Sequence, residues 1–144
     1  MPQNNKTCLI IAQSGRALAA SASAGGWAVH VLDRFADLDT AAVALSCQAV
    51  SGDDGGFHVD ELLGKLTQLL KTPVYGAIYG SGLEKQHDVL EFLRRHRVLL
   101  GNEASVVKAC KEPALFFPAL AGLGIPHPHT SLTTPRGCGG HENW

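Results

Sequence analysis

Short, continuous apolar runs alternate with segments of helical periodicity through the first hundred residues. An unbroken apolar run bounded by turn residues is typical of a strand that is buried on both faces of a parallel sheet. Alanine-rich stretches and apolar positions spaced 3.6 residues apart indicate helices instead. The strands predicted in this way are residues 7–12, 27–32, 42–50, 74–79 and 98–100, and the helices are residues 16–24, 59–70 and 87–96.

This alternation of strands and helices predicts the fold class. Only a parallel sheet with crossover helices satisfies such a pattern with loops of ordinary length. We therefore expect residues 1–101 to form an α/β domain, a Rossmann-like open parallel sheet with helices on both faces. Its first strand is expected to be flanked by the second and the third. Ser14, in the turn after the first strand, is the expected N-cap of the first helix.

The pattern changes character after residue 101. Pro113 suits the first turn of a helix, and Gly124 lies where a C-terminal glycine belongs. Pro118 falls inside this helix and is expected to kink it. Residues 102–130 are thus predicted to form a short helical hairpin, and residues 131–144 a glycine-rich tail.

Composition and charge narrow the function classes. The 144 residues are 45% apolar, and 12 basic residues face 13 acidic ones, so the basic surplus that nucleic-acid binding needs is missing. No apolar stretch approaches the roughly 20 residues that span a bilayer, and the N-terminus lacks a signal-peptide run. We therefore expect a cytoplasmic protein with no nucleic-acid partner and no membrane association. The charged fraction of 17% lies below the usual value of about 25%. Either the surface is rich in neutral polar groups and glycine, or part of it is covered, which would favour a homodimer.

The cysteines and histidines do not form a metal-binding pattern. The cysteines are Cys8, Cys47, Cys110 and Cys138, and no two of them have the close spacing of a zinc or redox motif. The segment 127–129 places two histidines near each other, but no third ligand stands at a recognisable spacing. We predict no metal site.

The candidate site residues lie in the loops that follow the predicted strands. Ligands of open α/β sheets bind at the carboxyl ends of the strands. The first such turn lacks the G-x-G-x-x-G spacing of dinucleotide folds, and the sequence has no phosphate-binding P-loop motif. In the loop 80–84, two glycines allow close approach of a ligand, and the glutamate can hold a cation or accept a hydrogen bond. A tight turn with a surface carboxylate explains the same residues equally well. The candidates are Gln13, Ser14, Gly15, Arg16, Asp33, Gly80, Ser81, Gly82 and Glu84.

The order of several motifs resembles a known family. Residues 79–84 read Tyr-Gly-Ser-Gly-Leu-Glu, residues 98–102 read Val-Leu-Leu-Gly-Asn, residues 111–113 read Lys-Glu-Pro, and residues 123–126 read Leu-Gly-Ile-Pro. This succession resembles the N-terminal (pre-ATP-grasp) domain of ATP-grasp carboligases and is similar to that of biotin carboxylase. The resemblance covers about residues 7–132, with Glu112 where an aspartate is more usual.

The tail adds to the resemblance. Residues 135–141 look like the phosphate-covering loop of the family, with Thr134 at the position of its lysine. The resemblance implies cofactor-binding roles for Gly137, Gly139 and Gly140. The tail is then a remnant or the start of an ATP-grasp domain; a flexible glycine-rich end is the alternative.

The resemblance implies a function for the chain. It would be the substrate-side domain of an ATP-dependent carboxylate–amine or carboxylate–thiol ligase that works through an acyl phosphate. The candidate loops would form one wall of the substrate cleft for a small carboxylate. ATP and Mg²⁺ would serve the complete enzyme and would not bind tightly to this chain, which would be inactive alone and would dimerise or associate with a separate grasp domain. No residue is assigned a catalytic role.

Two other functions stay open at the level of sequence. The chain is alternatively a non-catalytic Rossmann-like module that binds a small anionic ligand or a nucleotide. The remaining alternative is a structural domain that dimerises through an apolar surface.

Overall fold

The computed structural model describes residues 6–131 and residue 133. The chain divides into two compact units, Met1–Lys108 and Ala109–Trp144. The strands are β1 (Thr7–Ile11), β2 (Ala28–Asp33), β3 (Ser46–Ala49), β4 (Gly52–Asp53), β5 (Gly56–Phe57) and β6 (Gly76–Tyr79). The helices are α1 (Arg16–Ala24), α2 (Leu38–Val43), α3 (Val59–Leu69), α4 (His87–Arg95), α5 (Ala104–Lys111) and α6 (Pro113–Gly122).

The first unit contains a parallel sheet in the order β3-β2-β1-β6. Ile10 in β1 is level with Val31 on one side and with Ile78 on the other. The prediction that the second and third strands flank the first is wrong, because β3 lies outside β2 and the chain then crosses back through α3 to place β6 beside β1. The predicted fifth strand is reduced to a single parallel bridge between Ala77 and Leu99.

Helices pack on both faces of the sheet, as the apolar strands predict. Leu9 and Ile11 belong to a first core cluster that includes buried side chains of α3 and α4. Cys8 and Ile10 point to the opposite face and join a second cluster with Ala19 of α1. Side chains of successive strand residues alternate between the faces, so one strand supplies both clusters. The predicted open parallel α/β sheet with helices on both faces is confirmed.

Three local features differ from the predictions. The strand predicted over residues 42–50 is confined to β3, because residues 42 and 43 belong to α2, a helix that was not predicted. Asp37 caps α2 by accepting a hydrogen bond from the Thr40 backbone N–H at 2.8 Å. Ser14 does not cap α1, because Gly15 occupies the N-cap position without a side-chain bond. The predicted loop over residues 51–56 is largely the short antiparallel pair β4–β5, which extends to Phe57.

The second unit contains α6, whose ends match the predictions. Pro113 lies in its first turn, and Pro118 is accommodated within the helix. Gly124 has a φ of +66°, and the Ile125 N–H donates to the Leu120 carbonyl at 3.0 Å. This is the Schellman arrangement of a helix that ends at glycine. Across the described residues, no helix has the length and apolar character needed to cross a membrane.

Candidate functional site

A small crevice lies at the carboxyl ends of the parallel strands. Its wall is formed by Gln13 after β1, by residues 53–56 of the β4–β5 hairpin, and by Ser81, Gly82, Glu84 and Lys85 after β6. Its volume is about 150 Å³. Enclosed ligand pockets usually measure about 300–1,000 Å³, so this crevice accommodates one end of a substrate rather than a whole one.

Backbone hydrogen bonds hold the two strand-end loops together. The Gln13 N–H donates to the Ser81 carbonyl at 2.7 Å, and the Arg34 N–H donates to the Gln13 carbonyl at 3.2 Å. Gly82 has a φ of +102°, a conformation that favours glycine, and its N–H donates to Glu84 Oε2 at 2.7 Å. The loop after β6 is therefore an ordered turn in which the Glu84 carboxylate folds back and accepts a backbone N–H of the same loop.

Two side chains anchor the β4–β5 hairpin beside this turn. The Arg34 guanidinium donates to the Gly52 carbonyl at 2.5 Å and to the Asp53 carbonyl at 3.1 Å. Gln86, which is only 7% exposed, donates through Nε2 to the Phe57 carbonyl. These bonds fix the hairpin backbone, so the tip with Asp53 stays at the crevice.

The crevice is acidic. Its lining contains three carboxylate side chains, Asp53, Asp54 and Glu84, and one ammonium group, that of Lys85. Asp53 Oδ1 accepts the Gly55 N–H at 2.7 Å. Such a lining favours a cationic or donor-rich group over an anion. Within residues 6–131 and 133, no three His, Cys, Asp or Glu side chains are grouped so that they would hold a metal ion.

Four predicted site residues meet at this crevice, and the other described candidates do not line it. Gln13, Ser81, Gly82 and Glu84 are part of the lining. Gly80 lies just behind it, where a Cβ atom would be 2.9 Å from that of Ala12.

The remaining predicted residues of the first turn face elsewhere. Ser14 is exposed outside the crevice, and Arg16 forms an exposed ion pair with Asp39 at 3.4 Å. Gly15 is buried, and a Cβ atom there would be 2.4 Å from Val31 Cγ1. The glycine is needed for close packing against β2.

Asp33 is fully buried behind the first turn. Its Oδ2 accepts the Gly15 N–H at 2.9 Å, and its Oδ1 accepts the N–H groups of Phe35 at 3.1 Å and Ala36 at 2.7 Å. The side chain therefore ties two strand-end turns together, and its oxygens face the backbone instead of the crevice.

The sequence reasoning missed the hairpin tip and Lys85. A signal was present, since two aspartates and two glycines at 53–56 follow the third parallel strand, whose carboxyl end shares the same sheet edge. The predicted cofactor-binding residues Gly137, Gly139 and Gly140 lie outside the described residues.

Comparison with known proteins supports the fold. No protein-family model matches the chain, and no curated protein sequence matches it significantly. A crystal structure of the ADP complex of purK, N5-carboxyaminoimidazole ribonucleotide synthetase, matches with a TM-score of 0.63 and 24% sequence identity. The match covers 85% of this chain and 30% of that chain. The chain thus shares the fold of a part of this synthetase and spans about a third of its length.

Proposed function

We propose that this chain is the substrate-side domain of an ATP-dependent carboxylate–amine or carboxylate–thiol ligase that works through an acyl phosphate. The observation that carries the proposal is a crevice at the carboxyl ends of a sheet whose fold is shared with part of a synthetase crystallised with ADP. Because the crevice measures only about 150 Å³, it forms one wall of a larger cleft. A grasp domain supplies the opposite wall, and we expect the reaction in the cytoplasm.

The lining of the crevice does not favour the phosphate groups of ATP. Phosphate groups are bound by lysine, arginine and converging backbone N–H groups. The crevice has three carboxylates against one lysine, and its Gly82 and Gly55 N–H groups already donate to Glu84 and Asp53. We therefore assign nucleotide binding to the grasp domain.

The charge of the crevice distinguishes between the two substrates. A carboxylate here would meet like charge from Asp53, Asp54 and Glu84, with Lys85 as its one opposite charge in the lining. An ammonium group offers donors that carboxylate oxygens accept. We therefore assign the amine end of the nucleophile to this crevice and the small carboxylate to the side of the cleft that faces the grasp domain.

The experiment is an amide-shift titration by NMR on the full chain with ethylammonium and, separately, with acetate. Ethylammonium is expected to shift the amide signals of Gly55, Ser81 and Gly82, and Glu84→Gln should weaken this binding several-fold. Glu103→Gln, the same change at an exposed position outside the crevice, is the matched control. Shifts caused by acetate instead of ethylammonium would contradict the assignment and favour a module for anionic ligands.

A second measurement addresses catalysis. With ATP, Mg²⁺, a carboxylate and an amine, the chain alone is expected to release no ADP above background. Magnesium-dependent ADP release that Glu84→Gln abolishes would show a complete active site and would overturn the proposed division of labour.

A further inference from the structure

A second cavity lies at the opposite end of the sheet from the crevice. Cys8 and Ile78 form its floor, Leu18 and Ala22 of α1 form one wall, and Trp27 and Tyr75 lie at its mouth. Its volume is about 380 Å³, within the range of about 300–1,000 Å³ typical of small-molecule sites. Trp27 and Tyr75 precede β2 and β6, so the cavity lies at the amino ends of the strands.

The topology explains why this cavity is open. α1, which follows β1, packs in the second core cluster. The helices before and after β6 are α3 and α4, and both of them pack in the first cluster on the other face of the sheet. In the described part of the first unit, the β6 side of the second face therefore has no crossover helix over it. Tyr75 is 57% exposed and Leu100 is 43% exposed at the rim.

The mouth of the cavity combines aromatic rings with a positive charge. The rings of Trp27 and Tyr75 meet edge to face, with their centroids 5.1 Å apart. The Lys6 ammonium lies 4.9 Å from the Tyr75 centroid and 5.8 Å from the Trp27 centroid. Among the described residues, no aspartate or glutamate lines the cavity, and its apolar interior opens next to the Lys6 ammonium.

We propose that this cavity binds a flat, apolar ligand that carries an anionic group. The ring system occupies the space between Leu18, Ala22 and Ile78, and the anion pairs with Lys6 at the mouth. The lining of this cavity shares no residue with the lining of the crevice. The inference is independent of the ligase proposal, because it uses none of the crevice residues.

The test uses 1-anilinonaphthalene-8-sulfonate as an anionic aromatic probe on the full chain. The chain has two tryptophans, so Trp144→Phe leaves Trp27 as the fluorescence donor to the probe. Saturable energy transfer from Trp27 is expected. Ala22→Leu fills the cavity and should weaken binding about tenfold, since a packed site has no room for the ring. Ala20→Leu, the same change at an exposed position of α1, should leave binding unchanged.

The charge requirement is tested separately. Lys6→Met should weaken binding of the sulfonate several-fold but leave binding of the neutral probe N-phenyl-1-naphthylamine unchanged. Amide and indole N–H shifts of the unsubstituted chain should centre on Gly25, Trp27 and Tyr75, a readout that does not depend on any variant folding. Shifts centred elsewhere, equal losses in both alanine variants, or an unaltered sulfonate affinity in Lys6→Met would overturn the proposal.

Discussion

Removal of the Asp33 carboxylate is expected to be one of the most destabilising polar substitutions in the chain. The side chain is fully buried and accepts three backbone hydrogen bonds, from Gly15, Phe35 and Ala36. Ala36 has a φ of +44°, in the left-handed region that a non-glycine residue rarely adopts. Asp33→Ala thus removes the acceptor for three donors and the constraint on a strained turn.

The magnitude follows from the cost of unpaired donors. A hydrogen bond to a charged group contributes about 1.5–3 kcal/mol net, and a buried donor left unpaired costs about 1–3 kcal/mol. The Gly15 bond is buried, whereas the Phe35 and Ala36 bonds are partly buried, so water replaces the acceptor at some of them. We expect Asp33→Ala to lower the free energy of unfolding by about 3–5 kcal/mol, a large part of the roughly 5–15 kcal/mol typical of a domain.

Urea unfolding followed by far-ultraviolet circular dichroism measures this change. Asp33→Asn keeps one acceptor oxygen and should lose about half as much as the alanine variant, so it reports on the same bonds if Asp33→Ala fails to fold. Asp39→Ala removes an ion pair whose side chains are 62% and 77% exposed and should cost less than about 1 kcal/mol. An Asp33→Ala loss no larger than that of Asp39→Ala would refute the proposed tie between the two turns.

Smaller effects are expected elsewhere. Gly82→Ala should lower the free energy of unfolding by about 1–3 kcal/mol, because the residue has a φ of +102°. Gly64→Ala in α3 should raise the free energy of unfolding by about 0.5–1 kcal/mol, because a Cβ atom there meets nothing within 4 Å. Changes of the same sign in the two variants would contradict this prediction. Hydrogen bonding from Arg94, then Arg95, lowers the pKa of Glu91 to about 2, so its stabilising contribution is present above the ordinary glutamate pKa and lost as the pH falls toward 2. A carbon-13 NMR titration of the Glu91 carboxylate should show this low pKa, and the pKa should rise in Arg94→Gln. An ordinary glutamate pKa for Glu91 in the unsubstituted chain would contradict the prediction. Burial raises the pKa of the Cys8 thiol, so iodoacetamide should label Cys8 in the folded chain much more slowly than the exposed Cys110. Equal labelling rates at the two cysteines, measured by mass spectrometry, would contradict this.

The sequence predicts the elements of this fold better than their arrangement. The runs at β1 and β2 are mostly apolar because helices pack on both faces of these strands. The 3.6-residue spacing of apolar positions in α3 reflects its one buried face. The order of the strands in the sheet has no comparable signal in the sequence, because the apolar pattern of a strand does not depend on which strand lies beside it. α2 was missed because its few residues include no full apolar period. Its local signal in the sequence is Asp37 at the N-cap, which accepts a hydrogen bond from the Thr40 backbone N–H.

The site was predicted in part for a related reason. Loops after parallel strands converge at one edge, so Gln13, Ser81 and Glu84 meet as the topology requires. Asp33 follows the same rule in the sequence, yet its carboxylate is used by backbone N–H groups. A ligand-binding aspartate and a turn-binding aspartate at a strand end differ only in side-chain direction, which a sequence does not record.

The central position of β1 has a consequence for how the chain folds as it is synthesised. β1 pairs with β2, which ends at Asp33, but the backbone groups at its other edge pair only with β6, which ends at Tyr79. Until that segment leaves the ribosome, a strand of five mostly apolar residues keeps one row of backbone groups unpaired. The nascent chain is most prone to wrong pairing during this interval, and closure over such a sequence separation slows the final folding step. An early chaperone contact would therefore protect the same strand that later lies at the centre of the sheet.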